Sequence, residues 1–324
     1  MQKKLLQASW IAGLLLFVLL IYKIGIGRIL DNIQKLTWQH FAILISLRCG
    51  FWIMRTFNWM IVYRQYNRQG SFLNLFWARL AGHAISYLTP TSHLGGEAIR
   101  ALSVNSPDRK KNLASVIVDK TMEVLVMILF TILGVIIAFL RTPLSEVYKI
   151  PFLALTLAAV FFMLFILNKQ KQGFLLWLLK LLKKLKLYFP FIEKNREKIM
   201  ETDKYISDFY AKHSKVFPVV LLLYAIMILF WTVEIHFTLK FIGVDGLAYL
   251  DSFLIVALGS LAFILPLFPG SLGTYEATYV AIFALFGLGT DAGISLTLIR
   301  RIIAIFWAGV GLLTMLGKKD RFKT

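Results

Sequence analysis

The sequence is short of cysteine, of acidic residues and of charge altogether. Its single cysteine, Cys49, has nothing in the chain to pair with, which excludes a disulfide scaffold. Only 16% of the 324 residues are charged and 58% are hydrophobic, with a mean hydropathy of +0.72. A soluble domain carries about a quarter charged residues, so a water-soluble fold is excluded, and disorder and collagen-like fibres go with it. The five histidines (His40, His83, His93, His213, His236) fall into no metal-ligand spacing, and neither metal nor cofactor is expected. Neither Gly-x-x-x-x-Gly-Lys-Ser/Thr nor Gly-x-Ser-x-Gly occurs, so no ATP motor, nucleophile elbow or other catalytic constellation is legible. What fits is an all-α polytopic integral membrane protein. Leu/Ile/Phe runs of about 20 residues suit spanning helices, whereas barrel strands would alternate every second residue.

Six full spans are expected: Leu5–Tyr22, Phe41–Val62, Leu113–Leu140, Pro151–Leu167, Val216–Lys240 and Ile294–Leu316. No small-residue cleavage site follows the first, so it reads as an uncleaved span. Two other apolar stretches are broken by proline and glycine. Leu73–Leu88 stops at Thr89-Pro90 and resumes as Leu94-Gly95-Gly96-Glu97-Ala98-Ile99-Arg100. Asp251–Phe268 is interrupted at Pro266, with Pro269 just beyond, and a returning segment covers Leu272–Leu288. The first reads as a re-entrant hairpin; the second fits either a hairpin or two full spans. The connection Asn168–Lys215 holds 12 Lys/Arg and five acids, and its amphipathic front, Phe174–Phe189, reads as a helix lying in the membrane interface.

The net charge of +19 fits a topology, not a nucleic-acid partner. With the first hairpin returning to its side of entry, 24 of the 36 Lys and Arg residues fall on one side and six on the other. The remaining six (Arg48, Arg55, Arg79, Lys120, Arg300, Arg301) sit within apolar stretches. The basic side is expected to be cytoplasmic, with both termini there, in the cell membrane.

The two broken stretches resemble each other. Leu88-Thr-Pro-Thr-Ser-His-Leu-Gly-Gly-Glu-Ala98 and Leu267-Phe-Pro-Gly-Ser-Leu-Gly-Thr-Tyr-Glu-Ala277 each place a Glu-Ala seven residues after a proline. Arg55 and Glu234 each lie 35 residues before the respective proline. Asp119 and Lys120 follow Glu97 by 22 and 23 residues, while Arg300 and Arg301 follow Glu276 by 24 and 25. This is the pattern of an inverted repeat, with repeat one at about 41–167, the basic loop at 168–215 and repeat two at about 216–316 of a single transmembrane domain, 1–324. Pro90, Gly95, Gly96, Pro269, Gly270 and Gly273 are the expected breaking residues. Broken helices leave backbone groups unpaired at several kcal/mol each, so they belong beside protein or a wet cavity.

Charges inside a bilayer cost about 2.5–3.5 kcal/mol each on insertion scales, so they are expected to pair or to line a polar groove. Arg48 and Arg79 read as structural or interfacial. Arg55, Glu97, Arg100, Asp119, Lys120, Glu123, Glu276, Arg300 and Arg301 are the candidate substrate-binding residues. Their excess of bases, and the ability of Arg to grip phosphate oxygens bidentately, favour an anionic headgroup.

Leu-Thr-Pro-(x)3-Leu-Gly-Gly-Glu-Ala-Ile-Arg, the span opening Val118-Asp119-Lys120-(x)2-Glu123, and Phe268-Pro-Gly-Ser-Leu-Gly-Thr-Tyr-Glu-Ala277 together resemble the transmembrane family of lysylphosphatidylglycerol synthases. This is the flippase-like region of multiple peptide resistance factors, which also occurs alone. Arg55, in Arg-Thr-Phe-Asn-Trp, is similar to that family's Arg-Trp at the end of the second span. The resemblance covers essentially the whole chain and implies movement or binding of polar lipids, such as phosphatidylglycerol, its aminoacyl form or polyprenyl-phosphate-linked sugars. The chain stops at Thr324, so the soluble synthase domain of full-length members is not expected, and Lys120 stands where many members have Arg. Expected partners are membrane lipids with anionic or zwitterionic headgroups and no nucleic acid; a homodimer and a separate lipid-modifying transferase stay open. The competing readings are a membrane subunit of such a transferase and a small-solute permease.

Overall fold

The computed structural model describes residues 14–88, 94–141, 146–184, 196–213, 215–261 and 271–316. Among these residues it is built of helices: α1 (Leu14–Ile24), α2 (Ile26–Gln34), α3 (Trp38–Arg64), α4 (Phe72–Leu88), α5 (Leu94–Ser103), α6 (Arg109–Arg141) and α7 (Glu146–Gln172). Then follow α8 (Phe174–Lys184), α9 (Arg196–Lys212), α10 (Val216–Phe241), α11 (Tyr249–Gly259), α12 (Thr274–Leu285) and α13 (Thr290–Leu316). The helices α6, α10 and α13 are apolar and long enough to cross a bilayer. At 27 residues each, α3 and α7 are about 40 Å long, also enough for a core of about 30 Å. Leu129, Leu133, Ile136 and Leu140 on α6, and Leu222, Ile226 and Leu229 on α10, recur at helical spacing and are exposed. Apolar stripes of that size belong against acyl chains, and the protein is membrane-integral.

Both broken stretches fold as hairpins. α5 returns along α4, so that the Asn105 N–H donates to Asn74 Oδ1 at 3.0 Å. α12 returns along α11: Gly259 lies against Tyr279, and Phe286, just past α12, packs against the cluster of Phe253, Leu254 and Ala257. The two hairpins open at opposite ends of α6. Near its start, Asn112 donates to the Ala101 carbonyl at 3.4 Å, while Arg141 at its end pairs with Asp251 of α11 at 2.9 Å. With 10 and 12 residues, α5 and α12 are about 15 and 18 Å long, too short to span. The elbows at Pro90, Pro269 and Gly270 lie outside the described residues.

Local chemistry fixes several helix starts. Thr37 Oγ1 accepts the His40 N–H at 3.4 Å and His40 Nδ1 accepts the Thr37 N–H at 3.3 Å, a reciprocal cap that opens α3. At the start of α11 Asp251 Oδ2 accepts the Ala248 N–H at 2.9 Å, one half of such a cap, since the alanine side chain offers no acceptor in return.

The expected basic loop, 168–215, is corrected by the fold. α7 runs on to Gln172, α8 occupies the front of the amphipathic segment, and α9 adds a second helix. Thr202, Ile206 and Phe209 form a buried stripe on α9 that the density of charge conceals in the sequence. Asp203 carries the junction: its carboxylate accepts the Leu175 and Leu176 N–H groups at 2.8 Å each, at the N-terminus of α8. α9 also pairs Glu201 with Lys110, accepts the Tyr66 hydroxyl on the Tyr205 carbonyl at 3.3 Å, and donates Ser207 Oγ to the Lys171 carbonyl at 2.9 Å. It thereby straps together the ends of α3, α6, α7 and α8. At the opposite end α2 does similar work, with Asn32 donating to Asp291 at 2.8 Å and Lys35 to the Ile242 carbonyl at 3.0 Å.

Candidate functional site

The first hairpin brings four bases and three carboxylates together. Arg55 of α3 forks onto Glu123 of α6, its Nη2 at 2.7 Å from both carboxylate oxygens and its Nε at 3.2 Å from Oε2. Lys120, one turn away on α6, lies 3.3 Å from Glu123 and 4.0 Å from Glu97 at the start of α5. Glu97 also accepts Arg100 at 3.0 Å. Asp119, wholly buried, receives Arg79 of α4 at 3.0 Å, Arg100, and the Tyr224 hydroxyl of α10 at 2.5 Å. The Arg79 and Arg100 guanidinia lie over the Trp59 ring, 5.3 and 3.8 Å from its centroid.

These groups surround a cavity of about 60 Å³. Arg55, Arg79, Arg100, Lys120 and Glu97 line it together with His83, Ser86 and the facing glycines Gly82 and Gly96. A Cβ on Gly96 would stand 1.8 Å from Ser86 Oγ and 2.2 Å from the Gly82 carbonyl oxygen, so glycine is what lets α5 approach α4. Arg79 Nε and Nη1 and Arg100 Nε have no hydrogen-bond partner among the described residues, although each arginine is only 2% exposed. Buried guanidinium N–H groups without acceptors are costly, and an anion in the cavity supplies acceptors.

The second hairpin builds a different cluster. Glu276 of α12, also fully buried, takes Arg301 of α13 on one oxygen at 2.6 Å and the Gly273 N–H on the other at 2.8 Å, capping its own helix. Gly273 has φ +80°, which explains glycine at that turn. The Arg301 side chain also lies near Tyr87 of α4. Arg48 of α3 pairs with Glu234 of α10 at 2.5 Å. Arg300 has no carboxylate partner among the described residues; its Nη1 donates to the Tyr279 hydroxyl at 2.8 Å, and the guanidinium lies 4.8 Å from the Trp231 ring centre and 5.5 Å from that of Tyr275. Rings, not carboxylates, hold this charge.

Lys120 and Arg301 each stand 11 residues into their helices, about 17 Å from opposite ends of the molecule. Of the nine candidate residues, Arg55, Glu97, Arg100, Asp119, Lys120 and Glu123 share the first cluster. Glu276, Arg300 and Arg301 belong to the second. The C-terminal half of α4 lies between the two, with Tyr87 near Arg301 and His83 Nε2 3.4 Å from the Ala304 carbonyl oxygen. Arg79, set aside in the sequence as structural or interfacial, is part of the cavity wall. Tyr224 and Trp59 carry no sequence signal for the site; Arg79 carries one, as the single charge on α4.

Fold and site together define a helical integral membrane protein with arginine–carboxylate clusters buried among its helices. The chain belongs to the lysylphosphatidylglycerol synthase TM region family, whose model matches residues 6–311. It is similar to a UPF0104 membrane protein of Methanothermobacter thermautotrophicus, 24% identical over 319 residues covering 92% of this chain and 90% of the relative. Another UPF0104 membrane protein, from Pyrococcus horikoshii, is 22% identical over 319 residues, 92% of each chain. No solved structure matches.

Proposed function

We propose that this protein binds the headgroups of anionic lipids and translocates them across the cell membrane, with the first cluster as the headgroup site. The observation that carries the reading is the small cavity walled by Arg55, Arg79, Arg100 and Lys120, where buried guanidinium N–H groups of Arg79 and Arg100 have no acceptor among the described residues. A phosphate offers several oxygens to such donors, and arginine meets them bidentately. Membership of the lysylphosphatidylglycerol synthase TM region family supports phosphatidylglycerol or its aminoacyl form as the lipid; polyprenyl-phosphate-linked lipids share the chemistry. The second cluster, reached along α4, would receive or release the headgroup nearer the other face. The opposed hairpins support an inverted repeat, with repeat one at about 41–167 and repeat two at about 216–316. Lys110, Lys111 and α9 lie at one end with the opening of the first hairpin, which supports that end as cytoplasmic.

The test is scrambling of labelled phosphatidylglycerol in liposomes holding the purified protein. Arg55→Ala, Glu97→Ala and Glu276→Ala should each slow flipping by about tenfold or more, the effect of removing a charge-assisted contact. Unchanged rates in all three reject the assignment. The family description also favours a second reading, a membrane subunit serving a lipid-modifying transferase. Recovery of such an enzyme with the tagged protein, alongside liposomes that do not flip, selects that reading.

A further inference from the structure

We infer that Glu97 is a specificity-determining residue that sets the valence of the headgroup, admitting one negative charge and turning away two. The inference rests on the headgroup reading above. Among the described residues, Arg55, Arg79, Arg100 and Lys120 pair with Glu97, Asp119 and Glu123, so four bases meet three carboxylates and one positive charge is left over. An uncompensated charge at this depth is strongly disfavoured. The unmet N–H groups of Arg79 and Arg100 tell of the same deficit in hydrogen bonds. One anionic group in the cavity corrects both. A phosphodiester brings one charge, whereas a phosphomonoester above its second pKa of about 6 brings nearly two.

The three carboxylates are not equally committed. Asp119 is 0% exposed and engages two guanidinia and the Tyr224 hydroxyl. Glu123 is 8% exposed, with both oxygens in the fork of Arg55. Glu97 is 23% exposed and lines the cavity, one oxygen 3.0 Å from Arg100 and the other 4.0 Å from Lys120. It is the carboxylate that an entering phosphate meets, competing for the same two donors. While Glu97 is ionised, a second charge on the ligand adds like-charge repulsion inside a weakly screened cavity. Replacing it by the isosteric amide leaves two positive charges unmet, which is the match for a monoester.

The experiment uses the full chain in phosphatidylcholine nanodiscs at pH 8, titrated with short-chain phosphatidylglycerol, a diester, and phosphatidic acid, a monoester. Wild type should bind phosphatidylglycerol more tightly. Glu97→Gln should move the ratio of the two dissociation constants toward phosphatidic acid by about tenfold or more. Lys120→Gln, a substitution at a side chain 35% exposed, makes the cluster neutral. It should lose about tenfold of the preference for phosphatidylglycerol over phosphatidylcholine. An unmoved ratio in Glu97→Gln protein that still binds phosphatidylglycerol overturns the role given to Glu97 and leaves the headgroup reading standing. Wild type that binds neither anionic lipid overturns the headgroup reading itself. Should Glu97→Gln fail to fold, full discrimination retained by Lys120→Gln overturns the charge-matching argument.

Discussion

The two hairpins begin alike in sequence and end in different chemistry. In the first, the motif glutamate stays partly exposed beside a cavity and shares its partners with a ring of bases. In the second, Glu276 is fully buried, capping Gly273 and holding Arg301. Asp119 in the first cluster joins two arginines and a tyrosine, whereas Arg300, its counterpart by repeat position, lies among the rings of Trp231, Tyr275 and Tyr279. One motif therefore serves a charged pocket on one side and an arginine–glutamate helix cap on the other, and the glycine of each is required for a different reason.

The largest expected effect comes from the buried carboxylates. Asp119→Ala strands two guanidinia that are 2% exposed and should cost about 3–5 kcal/mol, the range for breaking a buried ion pair. Glu276→Ala strands one guanidinium that is 20% exposed and one backbone N–H, and about 2 kcal/mol is expected. Thermal unfolding of the detergent-solubilised variants measures both. Equal losses, or a larger one at Glu276, would break the contrast between a carboxylate shared by two arginines and one paired with a single arginine.

The glycines give the next test. At Gly96 an added methyl meets Ser86 Oγ and the Gly82 carbonyl well inside contact distance, so Gly96→Ala must push α5 off α4, at about 1–3 kcal/mol. Gly273 is needed for its positive φ, and Gly273→Ala should cost about 1 kcal/mol in stability. The sharper difference lies in transport. Moving α5 displaces Glu97 and Arg100, so Gly96→Ala should abolish flipping in liposomes where Gly273→Ala only slows it.

Much of this was legible in the sequence, for reasons that also mark the limits. Proline and glycine inside apolar stretches signal broken helices without reference to any partner, and the spacings of Glu97 to Lys120 and of Glu276 to Arg301 bring equivalent pairs together at 4.0 and 2.6 Å. Helical periodicity places residues on a face of their own helix but says nothing of what faces them. Tyr224 therefore reaches Asp119 across 105 residues unannounced, and Arg79, alone among apolar neighbours, reads as interfacial. The helix α9 was concealed differently. Eight of its 17 residues are charged, and its buried stripe of Thr202, Ile206 and Phe209 covers only one narrow face.

The smallest effect is expected at a carboxylate outside both hairpins, which tests whether the interior charges are special. Asp203 is buried at the α8–α9 junction, and burial pushes its pKa above the usual aspartate value, against the pull of the Leu175 and Leu176 N–H groups. A carboxyl whose folded pKa is raised binds its proton more tightly in the native state than in the unfolded chain. Its contribution to stability therefore grows as the pH falls from the raised value toward the ordinary one, and is lost as the pH rises through the folded pKa. Asp203→Asn removes that dependence while keeping a weaker acceptor at the start of α8. The variant should lie within about 1 kcal/mol of wild type at neutral pH, the scale of a helix cap. Wild type should then gain on it in mildly acid buffer. Melting curves of the two proteins across that range read the difference directly; wild type that loses stability relative to the variant on acidification would mean that the cap, and not burial, governs this carboxylate.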